Sequence, residues 1–212
     1  MSSEKVIEIA RGELGYVESP LGSNKTKYGQ AYAWDGVPWC AIFLWWCFRE
    51  AGEREAFYGG KKTASCGTLY RWYASRGQTV EPEDIRPGDI LLLSFSGTGE
   101  AEHCGLAEQV VDREGGWYRT IEGNTAPGLE GSQAGGGCVA LKVRSRKNIV
   151  GACRPAYTRE PDYAGHWAEA AMDWGIQRGL IRGYEDGTYQ PDRGVTRGEL
   201  MTVLQRLEES RA

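Results

Sequence analysis

Along the first third of the chain, apolar positions recur at helical spacing. Val6, Ala10 and Leu14 fall on one stripe behind Ser3, a suitable N-cap, which predicts a helix over Ser3–Leu14. The polar stretch SPLGSNKTKYGQ is rich in turn formers and predicts a loop. DGVPWCAIFLWWCFREAG then reads as a turn, a helix over Trp39–Ala51 that is apolar on every side, and a stop at Gly52. A third helix is predicted from Ser65 through CGTLYRWYAS to Gly77.

After that the texture becomes strand-like. RPGDILLLSF, HCGLAEQVVD, WYRTIEGN, CVALKVRS and NIVGACRPAY are short apolar or alternating runs separated by Gly-rich or charged turns. Helices followed by an antiparallel meander make an α+β domain, expected over residues 1–157. TREPDYAG reads as a linker, and residues 158–212 as that linker plus a small all-α module. Its helices are predicted at His166–Arg178 and Thr196–Glu209, flanking GYEDGTYQPDRG. The second opens with Thr196 and Glu199 in capping-box spacing and carries Leu200, Val203, Leu204 and Leu207 as an apolar face.

Composition narrows the function classes. The chain has 212 residues, 41% hydrophobic and 11% aromatic, enough for one sizeable core and a small second unit. Net charge is −4, with 19 basic against 20 acidic residues up to Glu160 and 6 against 9 beyond it. Neither part has the basic footprint of a nucleic-acid or membrane-surface binder. The opening MSSEKVIEIARGELGY has acids among its apolar residues and does not read as a signal peptide, so synthesis in the cytoplasm is expected. The longest apolar run, Cys40–Phe48, is too short to span a bilayer. Six cysteines form no CxxC pair and no zinc-ribbon spacing, which speaks against a metalloprotein.

One cysteine stands apart by position. A nucleophilic thiolate needs charge stabilisation, a base, and something to orient that base. Cys40 falls at the first turn of a helix, where unpaired amides favour negative charge and can serve an oxyanion; Cys47 lies mid-helix and reads as a core thiol. Of two histidines, His166 opens the first module helix and reads as a packing or capping residue. His103, which opens a strand, is the candidate base. Glu122 and Asn124 lie two residues apart on the next strand, and either could hold the imidazole tautomer. Asn24, Lys25, Tyr28 and Trp39 are expected to line a substrate groove.

These residues also carry a resemblance. GSNKTKYGQAYAWDGVPWCAIFLWWCFREAG, RPGDILLL, EHCGLAEQV, TIEGNT and GACRPAY, in that order, resemble a CHAP domain, the amidohydrolase/peptidase module of many peptidoglycan hydrolases and phage endolysins. The likeness spans most of residues 4–157. It implies a papain-like α+β fold with Cys40 as nucleophile, His103 as base, Glu122 as orienting acid and Asn124 as a further polar member. Cys104 stands where the family usually has a small apolar residue, and strand alternation is expected to turn it away from the site. Some relatives hold calcium in an Asp-rich loop before the cysteine. Only Asp35 is available here, so no metal or other cofactor is expected.

DYAGHWAEAAMDWGIQRGLIRGYEDGTYQPDRGVTRGELMTVLQRL resembles a single S-layer homology (SLH) module, with Gly198 where Ala is more usual and one copy where three are common. That implies anchoring to cell-wall polysaccharide. Arg197, at a helix start, is the expected contact for an anionic secondary wall glycan, and self-association into a homo-oligomer through the module is expected.

The expected function is an endolysin-like peptidoglycan hydrolase, cleaving a wall amide through a cysteine thioester and acting on a Gram-positive host wall after release. The alternative is a non-catalytic wall-binding protein on a papain-like scaffold.

Overall fold

The helix that lacks a polar face is enclosed on every side. In the computed structural model, which describes residues 2–133, 136–158, 161–184 and 187–209, the first helices are α1 (Ser2–Gly12), α2 (Lys27–Tyr32) and α3 (Cys40–Glu50). Every residue of α3 from Cys40 to Trp45, together with Cys47 and Phe48, is buried. A helix that is hydrophobic all round needs such cover. Here α1 and α2 pack on it from one side and the sheet from another.

α2 lies in a stretch whose composition predicts a loop. Six residues are too few to display a helical period, and local capping decides the matter instead. The Thr26 hydroxyl accepts from the Gly29 amide at 2.9 Å, and the Asp35 carboxylate accepts from the Thr26 amide at 2.9 Å. Asp35 thus serves as a backbone acceptor. α4 (Cys66–Ala74) begins where Ser65 predicts, the serine hydroxyl accepting from the Thr68 amide at 3.2 Å.

Six strands make one antiparallel sheet: β1 (Thr79–Val80), β2 (Ile90–Leu93), β3 (His103–Asp112), β4 (Trp117–Thr125), β5 (Cys138–Ser145) and β6 (Ile149–Cys153). The spatial order is β1-β6-β2-β3-β4-β5. The expected meander holds for β2 to β5. β6 departs from it, returning across the sheet to pair with β2 and with β1, a two-residue strand too short to predict. β2 is apolar without alternation because both its faces are covered. Ile90 and Leu92 join the large core beneath the helices, whereas Leu91 and Leu93 join a second cluster with Ile85, Ala107, Tyr118 and Ala152.

Buried charge ties the layers together. Glu108 on β3 accepts from Arg11 of α1, with Nε at 3.0 Å, and from Arg119 of β4, with Nη2 at 3.1 Å. Arg154 grips Asp89 through two bonds of 3.0 and 2.9 Å, closing the end of β6 onto the start of β2. Such forked pairs fix geometry as well as contributing energy.

The chain divides into two compact units, residues 1–158 and 159–212. The second contains α5 (Glu169–Gln177) and α6 (Arg197–Glu209). Its loop is held by Asp162, whose carboxylate accepts from the Tyr189 and Gln190 amides, each at 2.7 Å. The capping box of α6 is formed: Thr196 N–H donates to Glu199 at 2.8 Å, and Glu199 N–H to the Thr196 hydroxyl at 3.2 Å. Leu200 and Leu204 nevertheless stay about half exposed, and Trp167 is 90% exposed. Among the described residues no helix is long and apolar enough to cross a membrane.

The closest approach between α3 and the sheet depends on Gly123. A Cβ there would lie 2.5 Å from Phe43 Cβ and 2.8 Å from the Trp39 ring, both fully buried. Gly123→Ala should therefore overpack the core and cost about 1–3 kcal/mol. Thermal unfolding followed by circular dichroism should show a midpoint several degrees lower, and an unchanged midpoint would contradict this packing.

Candidate active site

The site gathers where α3 begins. Trp39 is the N-cap residue of α3 and makes no side-chain capping bond, whereas Thr26 caps α2 and Ser65 caps α4. The first-turn amides of α3 are therefore not quenched by a cap. Trp39 itself is pinned by its indole N–H, which donates to Glu18 Oε2 at 3.0 Å, while the Gly22 amide donates to Oε1 at 2.5 Å. Glu18 is buried, so the tryptophan preceding Cys40 has a fixed position.

Opposite Cys40 stands His103, the first residue of β3 and almost wholly buried. Its Nε2 lies 2.9 Å from Glu122 Oε2, which leaves Nδ1 as the ring nitrogen for Cys40. Glu122 is bonded on both of its oxygens. Arg144 of β5 binds it through Nε to Oε1 at 2.7 Å and Nη2 to Oε2 at 2.5 Å, and the Thr120 hydroxyl donates to Oε1 at 2.6 Å. The Arg144 cation also lies 4.8 Å from the centre of the Phe95 ring. Room for the carboxylate comes from Gly105, where a Cβ would lie 2.6 Å from Glu122 Cγ.

Electrostatics follow from this arrangement. Burial alone would raise the Glu122 carboxyl, but the Arg144 and His103 hydrogen bonds overcome it and hold the group at about 2. Burial likewise disfavours a charged His103, yet its bonds to Cys40 and Glu122 push it up to about 9. Cys40 is held well below the ordinary thiol range, first by hydrogen bonds from Cys104 and Cys66 and then by His103, against the opposing effect of burial. Both directions favour a thiolate at Cys40 and an imidazolium at His103. By contrast, burial pushes the Cys47 thiol well up. In stability terms, the Glu122 contribution is present above its unfolded value near 4.5 and is lost as pH falls toward 2. The His103 contribution is present below 6.5 and is lost as pH rises through about 9.

Several expectations change. Cys104 does not turn away from the site: its sulfur, that of Cys66 and that of Cys40 all lie within 4.8 Å of one another. Alternation does separate His103 from Cys104, but Cys104 points to the face that α3 covers and so meets the nucleophile's helix. Tyr28 and Trp39 present no surface for a substrate. Both are fully buried, their rings 5.4 Å apart, and the Tyr28 hydroxyl donates to Glu13 at 2.6 Å. Asn24 is half-buried in left-handed backbone with φ 55°, and Lys25 is exposed. Asn124 also has φ 55°, at a register shift in β4, and the imidazole bond goes to Glu122. Arg144 was not foreseen. The alternation of CVALKVRS places it with Lys142 on one face, but only the β4–β5 register aims it at Glu122.

Two cavities flank this point and share Ser65. One, of about 600 Å³, includes Trp34, Pro38 and Lys62 in its wall, and Trp34 is 55% exposed. The other, of about 410 Å³, includes Tyr70, Arg71 and Glu100. In the second unit a groove of about 590 Å³ contains Arg182, Arg193 and Arg206 with Tyr184 and Tyr189. Arg197 is exposed at the start of α6, outside that groove. His166 lies 3.1 Å from Asp192 and accepts from the Ala168 amide at 3.2 Å, just ahead of α5.

Known proteins match in two separate stretches. Residues 27–124 match the CHAP domain family and residues 161–201 the S-layer homology domain family. Outer membrane protein SlpA of Deinococcus radiodurans is 45% identical over 53 residues, 25% of this chain and 4% of that protein. Cell surface glycoprotein 1 of Acetivibrio thermocellus is 46% identical over 39 residues, 18% of this chain and 2% of its own length. The cellulosome-anchoring protein of the same organism is 41% identical over 44 residues, 21% of this chain. The chain spans no more than 10% of the length of these curated relatives. Among solved structures, Ly7917 aligns with a TM-score of 0.45 and 16% identity over 73% of this chain and 62% of that one. The wild-type endolysin LysIME-EF1 aligns with a TM-score of 0.42 and 13% identity, over 94% of both chains. The chain carries a CHAP domain followed by a C-terminal S-layer homology domain.

Proposed function

We propose that this protein is a peptidoglycan hydrolase that cleaves a wall amide through Cys40. The observation that carries this reading is the geometry at the uncapped start of α3, where Cys40 meets a buried His103 whose Nε2 lies 2.9 Å from a Glu122 carboxylate gripped by Arg144. In the reaction, Cys40 Sγ attacks the amide carbonyl carbon, and the developing oxyanion is met by first-turn amides of α3. His103 gives its proton to the leaving amine. Water, deprotonated by the neutral His103, then cleaves the thioester and restores the pair. Glu122 fixes the ring and stabilises its charge, and Arg144 positions Glu122. The substrate crosses Ser65 between the two flanking cavities, with Trp34 and Lys62 on one side and Arg71 and Glu100 on the other. Asn24 and Lys25 are not among the lining of either cavity, and Asn124 supports the β4 bend.

The S-layer homology domain supplies association with the wall surface. Arg197, exposed at the start of α6, contacts an anionic wall polysaccharide, and the exposed Trp167, Leu200 and Leu204 gain cover by self-association.

Cys40→Ala should abolish release of soluble fragments from purified walls, while Cys47→Ala should retain turnover and lose on the order of 1 kcal/mol of stability. Turbidity reads the first. Mass spectrometry of the fragments then tells a muramoyl–alanine amidase from an endopeptidase. Persistent lysis by the Cys40 variant rejects the mechanism.

Activity should fall as pH rises through about 9, where the imidazolium loses its proton. Glu122→Gln removes the charge that favours the imidazolium, so the alkaline limb should move down by roughly 1–2 pH units, with lower turnover throughout. A pH–rate profile on variants checked for folding measures this, and an unmoved limb removes Glu122 from the role.

For the second unit, Arg197→Ala should reduce wall pull-down severalfold without altering hydrolysis of soluble wall fragments. Light scattering of the full chain should show more than one copy per particle. Unchanged pull-down excludes the contact, and a monomer excludes self-association.

A further inference from the structure

We infer that Cys40, Cys66 and Cys104 together form a binding site for a soft divalent cation of the zinc class, whose occupancy blocks the nucleophile. The three sulfurs come from α3, α4 and β3 and lie within 4.8 Å of one another, with Cys40 and Cys66 only 3.7 Å apart. A tetrahedral zinc ion with metal–sulfur bonds of about 2.3 Å sets its thiolates roughly 3.8 Å apart. One edge of the cluster already has that spacing, and the others need to contract by no more than about 1 Å.

The surroundings suit an anionic metal–thiolate centre. Three thiolates around a divalent ion leave one net negative charge. Cys40 is the first residue of α3 and Cys66 the first of α4, so the positive ends of two helices converge on that charge. The thiols are nearly dry, at 4%, 6% and 0% exposure, so bulk water competes little for the sulfurs. Two cavities reach Ser65, one residue from the cluster at Cys66. A disulfide would use only two of these sulfurs, whereas a metal ion uses all three. The fourth coordination position is left to water. Sequence spacing gave no hint of this set, because 26 and then 38 residues separate its members.

The blocking effect rests on Cys40 being the nucleophile, but binding does not, so the two are read separately. The full-length protein, stripped with a chelator and kept reduced with a phosphine, is titrated with Co²⁺ and then Zn²⁺. One equivalent of Co²⁺ should produce a thiolate-to-cobalt charge-transfer band in the near ultraviolet, which Zn²⁺ abolishes. Cys66→Ser and Cys104→Ser should each weaken Zn²⁺ binding by more than the roughly 10–100-fold that loss of an outer-shell partner costs, whereas Cys47→Ala should bind normally. Should either serine variant fail to fold, alkylation mapped by mass spectrometry on the unaltered protein decides. Zn²⁺ should then protect Cys40, Cys66 and Cys104 together. Zn²⁺ should also stop wall hydrolysis, and chelator should restore it. Absence of the charge-transfer band, a band unchanged in both serine variants, or protection of Cys40 alone would overturn the site. Inhibition relieved by a thiol reductant but not by chelator would replace it with a Cys40–Cys66 disulfide.

Discussion

A single buried carboxylate organises the first unit of this molecule. Glu122 is fully enclosed yet ionised, and an uncompensated charge in that position would be prohibitively unfavourable. Compensation comes from Arg144 on one neighbouring strand and His103 on the other. The three strands must therefore hold one register, since a one-residue slip would send each of these side chains to the opposite face. The condition that keeps Glu122 charged also sets His103 at the sheet's end, where it meets the start of α3.

α3 enters the same arrangement from the helical side. Its sulfur can be a thiolate because of where the helix begins, and that start is fixed by apolar packing rather than by a polar cap. Gly123 lets β4 approach the ring layer, Glu18 holds Trp39, and the enclosed faces of α3 leave it no alternative seat. Core packing and the placement of Cys40 are thus one problem with one solution. Buried Cys47, two turns deeper, shares the helix but not the chemistry.

What the sequence disclosed and what it withheld divide along a physical line. α3 announced itself because eleven residues without a polar face permit little else, and Cys40, His103 and Glu122 followed from their places at element starts and on one strand face. Arg144 stayed hidden because its role depends on which residue of β5 pairs with which residue of β4. The cluster of three thiols stayed hidden for the same reason, being a product of tertiary closure. Tyr28 and Trp39 were misjudged because an aromatic residue beside a reactive one reads alike as lining or as filling. Only their burial and their bonds to Glu13 and Glu18 distinguish the two. α2 was too short to leave a periodic trace.

The place of β6 has a bearing on how the molecule comes into being. β2 sits between β3 and β6, and β6 is the last strand in the chain. During vectorial synthesis the helices and the β2–β5 meander emerge first, but β2 keeps an open edge until Cys153 has left the ribosome. Until then the clamp of Arg154 on Asp89 cannot form. Closure of the sheet around β2 is thereby deferred until the whole first unit has been made.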